Sequence, residues 1–271
     1  MLLDNILEKI ESLPPLPQTI EEIEKFKKSK NKEIDELVKI IEKDALVITT
    51  LLKISNSSFF GFRSKVESVG RVVSLLGINF TIYVAISETI NNMLITDLTP
   101  YGIESEDFMS ASTAASNLIN LWLGNANAEL KEEVLLASIL QETGKFILAE
   151  LIISRDLDGE FKKLLENGVE IKDAEKELLG ITTSQVTAEI FKYWQLSDDL
   201  VNMIMFVDDI NSCSTEYKQK SQILDVVKTA CQVNSLLSSS SAQKAIEKAI
   251  KYNLEVEPLQ NAIQILQDRL K

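Results

Sequence analysis

Residues 34–45 read Ile34-Asp35-Glu36-Leu37-Val38-Lys39-Ile40-Ile41-Glu42-Lys43-Asp44-Ala45. Ile34, Leu37, Val38, Ile41 and Ala45 fall at the i, i+3, i+4, i+7 spacing that gives a helix one apolar face. The same spacing returns at Ile78, Ile82, Ala85, Ile86 and Ile90. Val134, Ala137, Ile139 and Leu140 open a buried stretch, and Ile223, Val226, Val227, Ala230, Val233, Leu236 and Leu237 form another stripe. No set of alternating apolar and polar runs joined by hairpin turns occurs. None of the nine glycines lies beyond Gly180, which suits packed helices better than turn-rich sheets. The expectation is an all-α chain of roughly a dozen helices.

Breakers divide the chain. Leu13-Pro14-Pro15-Leu16-Pro17 is extended and rigid, because proline cannot continue a helix and restrains the residue before it. Thr19 is placed to cap the next helix, with Glu22 as its box partner. Residues 95–107, with Pro100 and Gly102, read as a hinge between subdomains. The expected division is 1–95, 106–237 and a C-terminal helical extension at 242–271, where Pro258 suits a helix start.

Composition excludes several classes of function. The 271 residues contain no histidine, which removes most zinc sites and most nucleophile–base pairs. Cys213 and Cys231 are too few for a disulfide framework. Residues 1–100 carry 12 Lys and Arg against 14 Asp and Glu; residues 101–271 carry 16 against 27. An acidic surface repels phosphate backbones, so no nucleic-acid partner is expected, whereas a partner with a basic surface is steered towards it. The first residues lack a basic n-region, and no apolar run reaches the length of a membrane span. A cytoplasmic protein without a membrane partner is expected.

The order of motifs resembles a known family. Leu13-Pro14-Pro15-Leu16-Pro17 is followed by Ile40-Ile41, Asp44-Ala45-Leu46, Leu51-Leu52-Lys53, Asn56-Ser57, Gly61, Val66-x-Ser68-Val69 and Leu75-Leu76-Gly77. In that order and spacing the chain resembles the HDOD domain, the HD-related output domain of bacterial signalling proteins, in a stand-alone form. The resemblance reaches about residue 237. It implies an N-terminal helical subdomain packed on a degenerate HD-type bundle. HD phosphohydrolases hold one or two metals with histidines and aspartates and activate water against a phosphate ester.

By this resemblance Gln141 stands at a metal-binding histidine and Glu142 at the adjoining aspartate. Ala111 stands at the first histidine, Thr183 at another, and Val207-Asp208 at a histidine pair. Gln is a weak ligand and Ala is none; two carboxylates alone make a loose oxygen site. The expectation is no enzyme, no metal and no cofactor, but a signalling module that binds another protein. A nucleotide or second-messenger sensor using Gln141, Glu142, Thr183 and Asp208 is the alternative, and a residual phosphohydrolase is third.

The remaining candidates have ordinary and functional readings. Gly144-Lys145 lacks the upstream glycine and the following Ser or Thr of a phosphate loop, so Gly144 is read as a left-handed helix end. Phe59 and Phe62, in Ser58-Phe59-Phe60-Gly61-Phe62, either plug a groove or anchor a partner. Asn56 is expected to bond loop backbone, and Asp44 to cap a helix. Asp198-Asp199 suit a helix N-terminus, while Asp208-Asp209 are read as a solvated face or as a contact for a basic partner. The C-terminal segment packs on the second subdomain or forms a homodimer contact.

Overall fold

The computed structural model describes residues 2–29, 31–56, 62, 64–94, 96–124 and 127–270. Among these the chain is helical, without a β-strand, and no single helix is long and apolar enough to cross a membrane. It divides into two compact units, Met1–Leu13 with Ile95–Gln267, and Pro14–Leu94 with Asp268–Lys271.

Helix α1 (Leu2–Glu11) belongs with the larger unit and not with the N-terminal one, where the sequence division at 1–95 put it. Its buried Ile6 and Ile10, four residues apart, share one face. The Tyr193 hydroxyl donates to the carbonyls of Glu11 at 3.0 Å and Leu13 at 3.2 Å, and Lys9 pairs with Glu150.

The smaller unit holds α2 (Gln18–Lys28), α3 (Ile34–Ile41), α4 (Ala45–Ser55), α5 (Val69–Leu76) and α6 (Ile78–Met93). Thr19 does not cap α2. The helix begins at Gln18 directly after Pro17, and Thr19 is buried within it. Glu22 instead accepts from Gln18 Nε2 at 2.9 Å and from Lys43 at 2.6 Å. Asp44 is the N-cap of α4, and its Oδ1 accepts from the amides of Leu46 and Val47 at 3.0 and 3.2 Å. Asn56 closes α4. Its Nδ2 donates to the carbonyls of Leu52 (2.7 Å) and Val66 (2.8 Å), and its Oδ1 accepts from Val66 N at 2.8 Å. Ser57, Ser58, Phe59, Phe60 and Gly61 lie outside the described residues; Phe62 is half-buried. Gly77, at φ +83°, lets the chain turn sharply from α5 into α6.

The larger unit continues with a 3₁₀ turn (Thr99–Tyr101), α7 (Ser105–Leu123), α8 (Ala128–Leu140), α9 (Gly144–Ser154), α10 (Asp158–Glu166) and α11 (Ile171–Leu179). Then come α12 (Thr183–Tyr193), α13 (Asp198–Met205), a second 3₁₀ turn (Ile210–Ser212), α14 (Thr215–Ala230), α15 (Ser239–Lys251) and α16 (Val256–Arg269). Helix α7 packs on α8 and α14, α9 on α12, and α12 on α13. Phe108 of α7 meets Phe146 of α9 edge-on at 4.8 Å. The C-terminal region is two helices beginning at Ser239, tied down by Trp122 Nε1 donating to Glu255 O at 2.8 Å.

Candidate functional site

Helix α8 stops at Gln141, and α9 starts three residues later at Gly144. Gly144 is therefore the first residue of a helix, and the expected left-handed helix end is overturned. The reason for glycine is proximity. A Cβ there would lie 2.4 Å from Thr183 O and 2.9 Å from Thr187 N, both backbone atoms of α12. The Gly144 amide donates to Thr187 Oγ1 at 2.8 Å, and that hydroxyl faces the carbonyls of Thr183 (2.8 Å) and Gln141 (3.1 Å). The α8–α9 turn is thus pinned to the start of α12, which sets the next residues beside one another.

Lys145 is only 1% exposed. Its Nζ lies 2.6 Å from Glu142 Oε2 and 3.8 Å from Glu175 Oε1, donates to Thr183 Oγ1 at 3.3 Å, and sits 4.9 Å from the centre of the Tyr101 ring. Glu175, fully buried on α11, accepts from Thr183 N at 2.6 Å, from the Thr183 hydroxyl, and from Tyr101 OH at 2.9 Å. A second ammonium follows. Lys228 Nζ of α14 reaches Asp208 Oδ1 at 2.9 Å and Oδ2 at 3.1 Å, donates to Ser184 Oγ at 3.1 Å, and stands 3.3 Å from Glu142 Oε1. The Asp208 side chain is 5% exposed and also accepts from Ser184 N at 3.3 Å.

Electrostatics separate the three carboxyls. Burial pushes all of them up, because it penalises the charged form. At Glu142 the Lys145 and Lys228 ammoniums overcome burial and hold the carboxyl below its usual range. At Asp208 the Lys228 ammonium and the Ser184 hydrogen bond do so more strongly. At Glu175 burial wins over the lysines, and the carboxyl lies above its usual range. Lys228 is held charged far above the usual lysine value, because Asp208, Glu142 and Glu175 outweigh its own burial. Tyr101 is raised by burial and by Glu175.

Of the sequence candidates, Glu142, Thr183 and Asp208 meet in this cluster. Gln141 is buried beside it, its Nε2 3.5 Å from Ser138 O and its Oε1 without a hydrogen-bond partner among the described residues. Ala111 and Val207 are buried and bring no polar group. Asp208 is not part of a solvated acid pair or an open partner contact, as the sequence reading had it. Its chain turns inward to Lys228, and only Asp209 is exposed, accepting from Ser212 Oγ at 2.7 Å. Lys145, Glu175, Lys228 and Tyr101 were missed as site residues. One signal for Glu175 existed: it falls on the apolar face set by Ile171, Ala174 and Leu178, where a solvated acid does not belong.

These residues do not fit the metal of an HD phosphohydrolase. Among the described residues no group of three or more acids or thiols is arranged to hold an ion. An ammonium already lies on each of the two carboxylates expected as ligands, and it is a donor that repels a cation.

The HDOD domain profile matches residues 13–210. The chain belongs to the HDOD family.

No curated protein sequence matches this HDOD chain. Solved structures do. A Marinobacter aquaeolei VT8 protein named for signal transduction is 20% identical at a TM-score of 0.74, covering 99% of this chain and 62% of its own. A Shewanella amazonensis SB2B protein named for a phosphohydrolase is 18% identical at 0.72, covering 97% and 93%. An HDOD domain protein of unknown function from Geobacter sulfurreducens is 15% identical at 0.70, covering 99% and 93%. At such identities the likeness establishes the fold alone.

Proposed function

We propose that this HDOD chain is a non-catalytic signalling module that acts by binding another protein. One observation carries the reading: Lys145 and Lys228 occupy the space between the carboxylates where hydrolytic chemistry needs a metal. Hydrolysis of a phosphate ester requires an activated water and a group to take its proton. The chain has no histidine, Lys228 is held protonated, and Glu142 and Asp208, lowered by their ammonium partners, are weak proton acceptors. The surplus of acid after residue 100 favours a partner with a basic face.

The test is crosslinking capture of the full chain from its own cells, with Asp209→Lys as a surface variant and a parallel assay of phosphodiester hydrolysis with Mn²⁺. A partner that wild type retains and the folded variant loses supports the reading. Mn²⁺-dependent turnover that disappears in Glu142→Gln refutes it.

A further inference from the structure

Helix α1 packs on helices far from it in sequence. It lies against α9 and α12 of the larger unit, while the chain from Pro14 to Leu94 folds into the smaller one. Lys9 and its partner Glu150 are 141 residues apart, and Tyr193 is 182 residues from Glu11. The seat holds the segment at defined points. Ile6 and Ile10 are buried, Lys9 pairs with Glu150 of α9, and the Tyr193 hydroxyl at the end of α12 faces the carbonyls of Glu11 and Leu13. The last of these points is Leu13, and the next residue is a proline.

The segment is joined to the following helices by Pro14-Pro15-Leu16-Pro17. Each proline fixes φ at about −65° and lacks an amide donor, so such a stretch prefers an extended course to a reverse turn. Pro17 takes that course, with φ −59° and ψ 150°, and Pro14 and Pro15 are exposed. A hinge of this kind carries its helix to a neighbouring copy as readily as to its own chain. Two copies that exchange α1 keep every contact of the seat, because helix and groove are the same in both; only the course of the hinge differs.

A second observation lies around the seat. Leu7 on α1 is 42% exposed, Ile153, three residues beyond Glu150 on α9, is 40% exposed, and Tyr193 on α12 is 39% exposed. These large apolar side chains stand on the three helices that meet there, and exposed apolar surface of this kind marks a contact with another molecule. The groove also specifies its occupant. It takes two isoleucines four residues apart and a lysine that answers Glu150, and a second copy of the chain carries that same helix.

We propose that two copies of this chain form a dimer by exchanging α1, each helix seated between α9 and α12 of the other copy and the two chains crossing at Pro14–Pro17. Lys9 of one copy then pairs with Glu150 of the other, and the rim of Leu7, Ile153 and Tyr193 is covered. The dimer is independent of the protein-partner reading, because it needs no second protein and its test contains none.

The test uses the full chain and two charge-reversal variants, Lys9→Glu and Glu150→Lys, both at partly exposed positions and each checked for helical content. In either variant alone the pair becomes a repulsion, within one chain or between two. In an exchanged dimer of one with the other, both pairs are restored. Wild type is refolded from urea at concentrations up to about 1 mM and sized by light scattering. The variants are refolded together in equal amounts, one of them ¹⁵N-labelled, and sorted by native mass spectrometry. The expected result is a dimer whose share rises with concentration, and mixed dimers exceeding their statistical share by about tenfold. The proposal is overturned if wild type stays monomeric throughout. It is equally overturned if dimers form but the two variants pair only at the statistical share, because the contact between copies then lies elsewhere.

Discussion

Lys228 and Asp208, twenty residues apart and on different elements, form a two-pronged ion pair, with Nζ 2.9 Å from Oδ1 and 3.1 Å from Oδ2. The pair joins α14 to the chain just beyond α13, and through Glu142 it reaches the α8–α9 turn. An ammonium supplies charge to these carboxylates without supplying a Lewis acid. The carboxylates are thereby held in place by charge pairing within the protein.

Breaking this pair from one side strips a buried charge of its nearest counter-ion, leaving Lys228 with the more distant Glu142, or Asp208 with the Ser184 amide. Lys228→Met and Asp208→Asn are each expected to cost about 3–5 kcal/mol. The double variant is expected to cost clearly less than the sum of the two, because each change removes the charge that the other strands. Urea denaturation of the four proteins measures this. Additive losses would show that the two side chains do not depend on each other.

The pH dependence follows from the carboxyl shifts. Asp208 is lowered in the folded state, so its stabilising contribution is present above the ordinary aspartate value of about 4 and is lost as pH falls below it. The stability gap between wild type and Asp208→Asn is therefore full at neutral pH and narrows in acid. Glu175 is raised, so its sign is opposite. Its contribution is present below about pH 4 and declines as pH rises through the folded value. Glu175→Gln is expected to gain relative to wild type across that rise. Chemical denaturation of both variants from acid to neutral pH checks the two signs.

Gly144→Ala puts a methyl group against backbone that has no side chain to move aside. The expected cost is about 1–3 kcal/mol, as for overpacking elsewhere, and the α8–α9 turn should separate from α12. Thermal unfolding measures the loss, and amide shifts at Thr183 and Thr187 locate it. An unchanged melting temperature would mean that the contact relaxes freely.

In the smaller unit Asn56→Asp keeps the acceptor for Val66 N but removes the donor to Leu52 O and Val66 O. A loss of about 1–2 kcal/mol is expected. Asn56→Ala should cost a similar amount. Comparing both variants by denaturation separates the lost bonds from the added charge.

The helical period of Ile34, Leu37, Val38 and Ile41 was legible because burial imposes it on every turn. Asp44 and Asn56 were legible because their partners lie within ten residues. The cluster was legible only in part. Glu142 and Asp208 showed as acids, but their counter-ions Lys145 and Lys228 are ordinary residues whose meaning comes from distant packing. Gly144 misled because glycine serves a left-handed turn and a close approach equally well, and only the position of α12 decides between them. Helix α1 misled because sequence order says nothing about which face its isoleucines meet.

The number of divalent ions held per chain tests most directly whether lysines fill the place of a metal. Equilibrium dialysis of the full chain against Mn²⁺, read by metal analysis with Glu142→Gln beside it, gives that number. Lysines at the site predict far less than one ion per chain and no difference between the two proteins. One tightly held ion per chain, lost in Glu142→Gln, would contradict it.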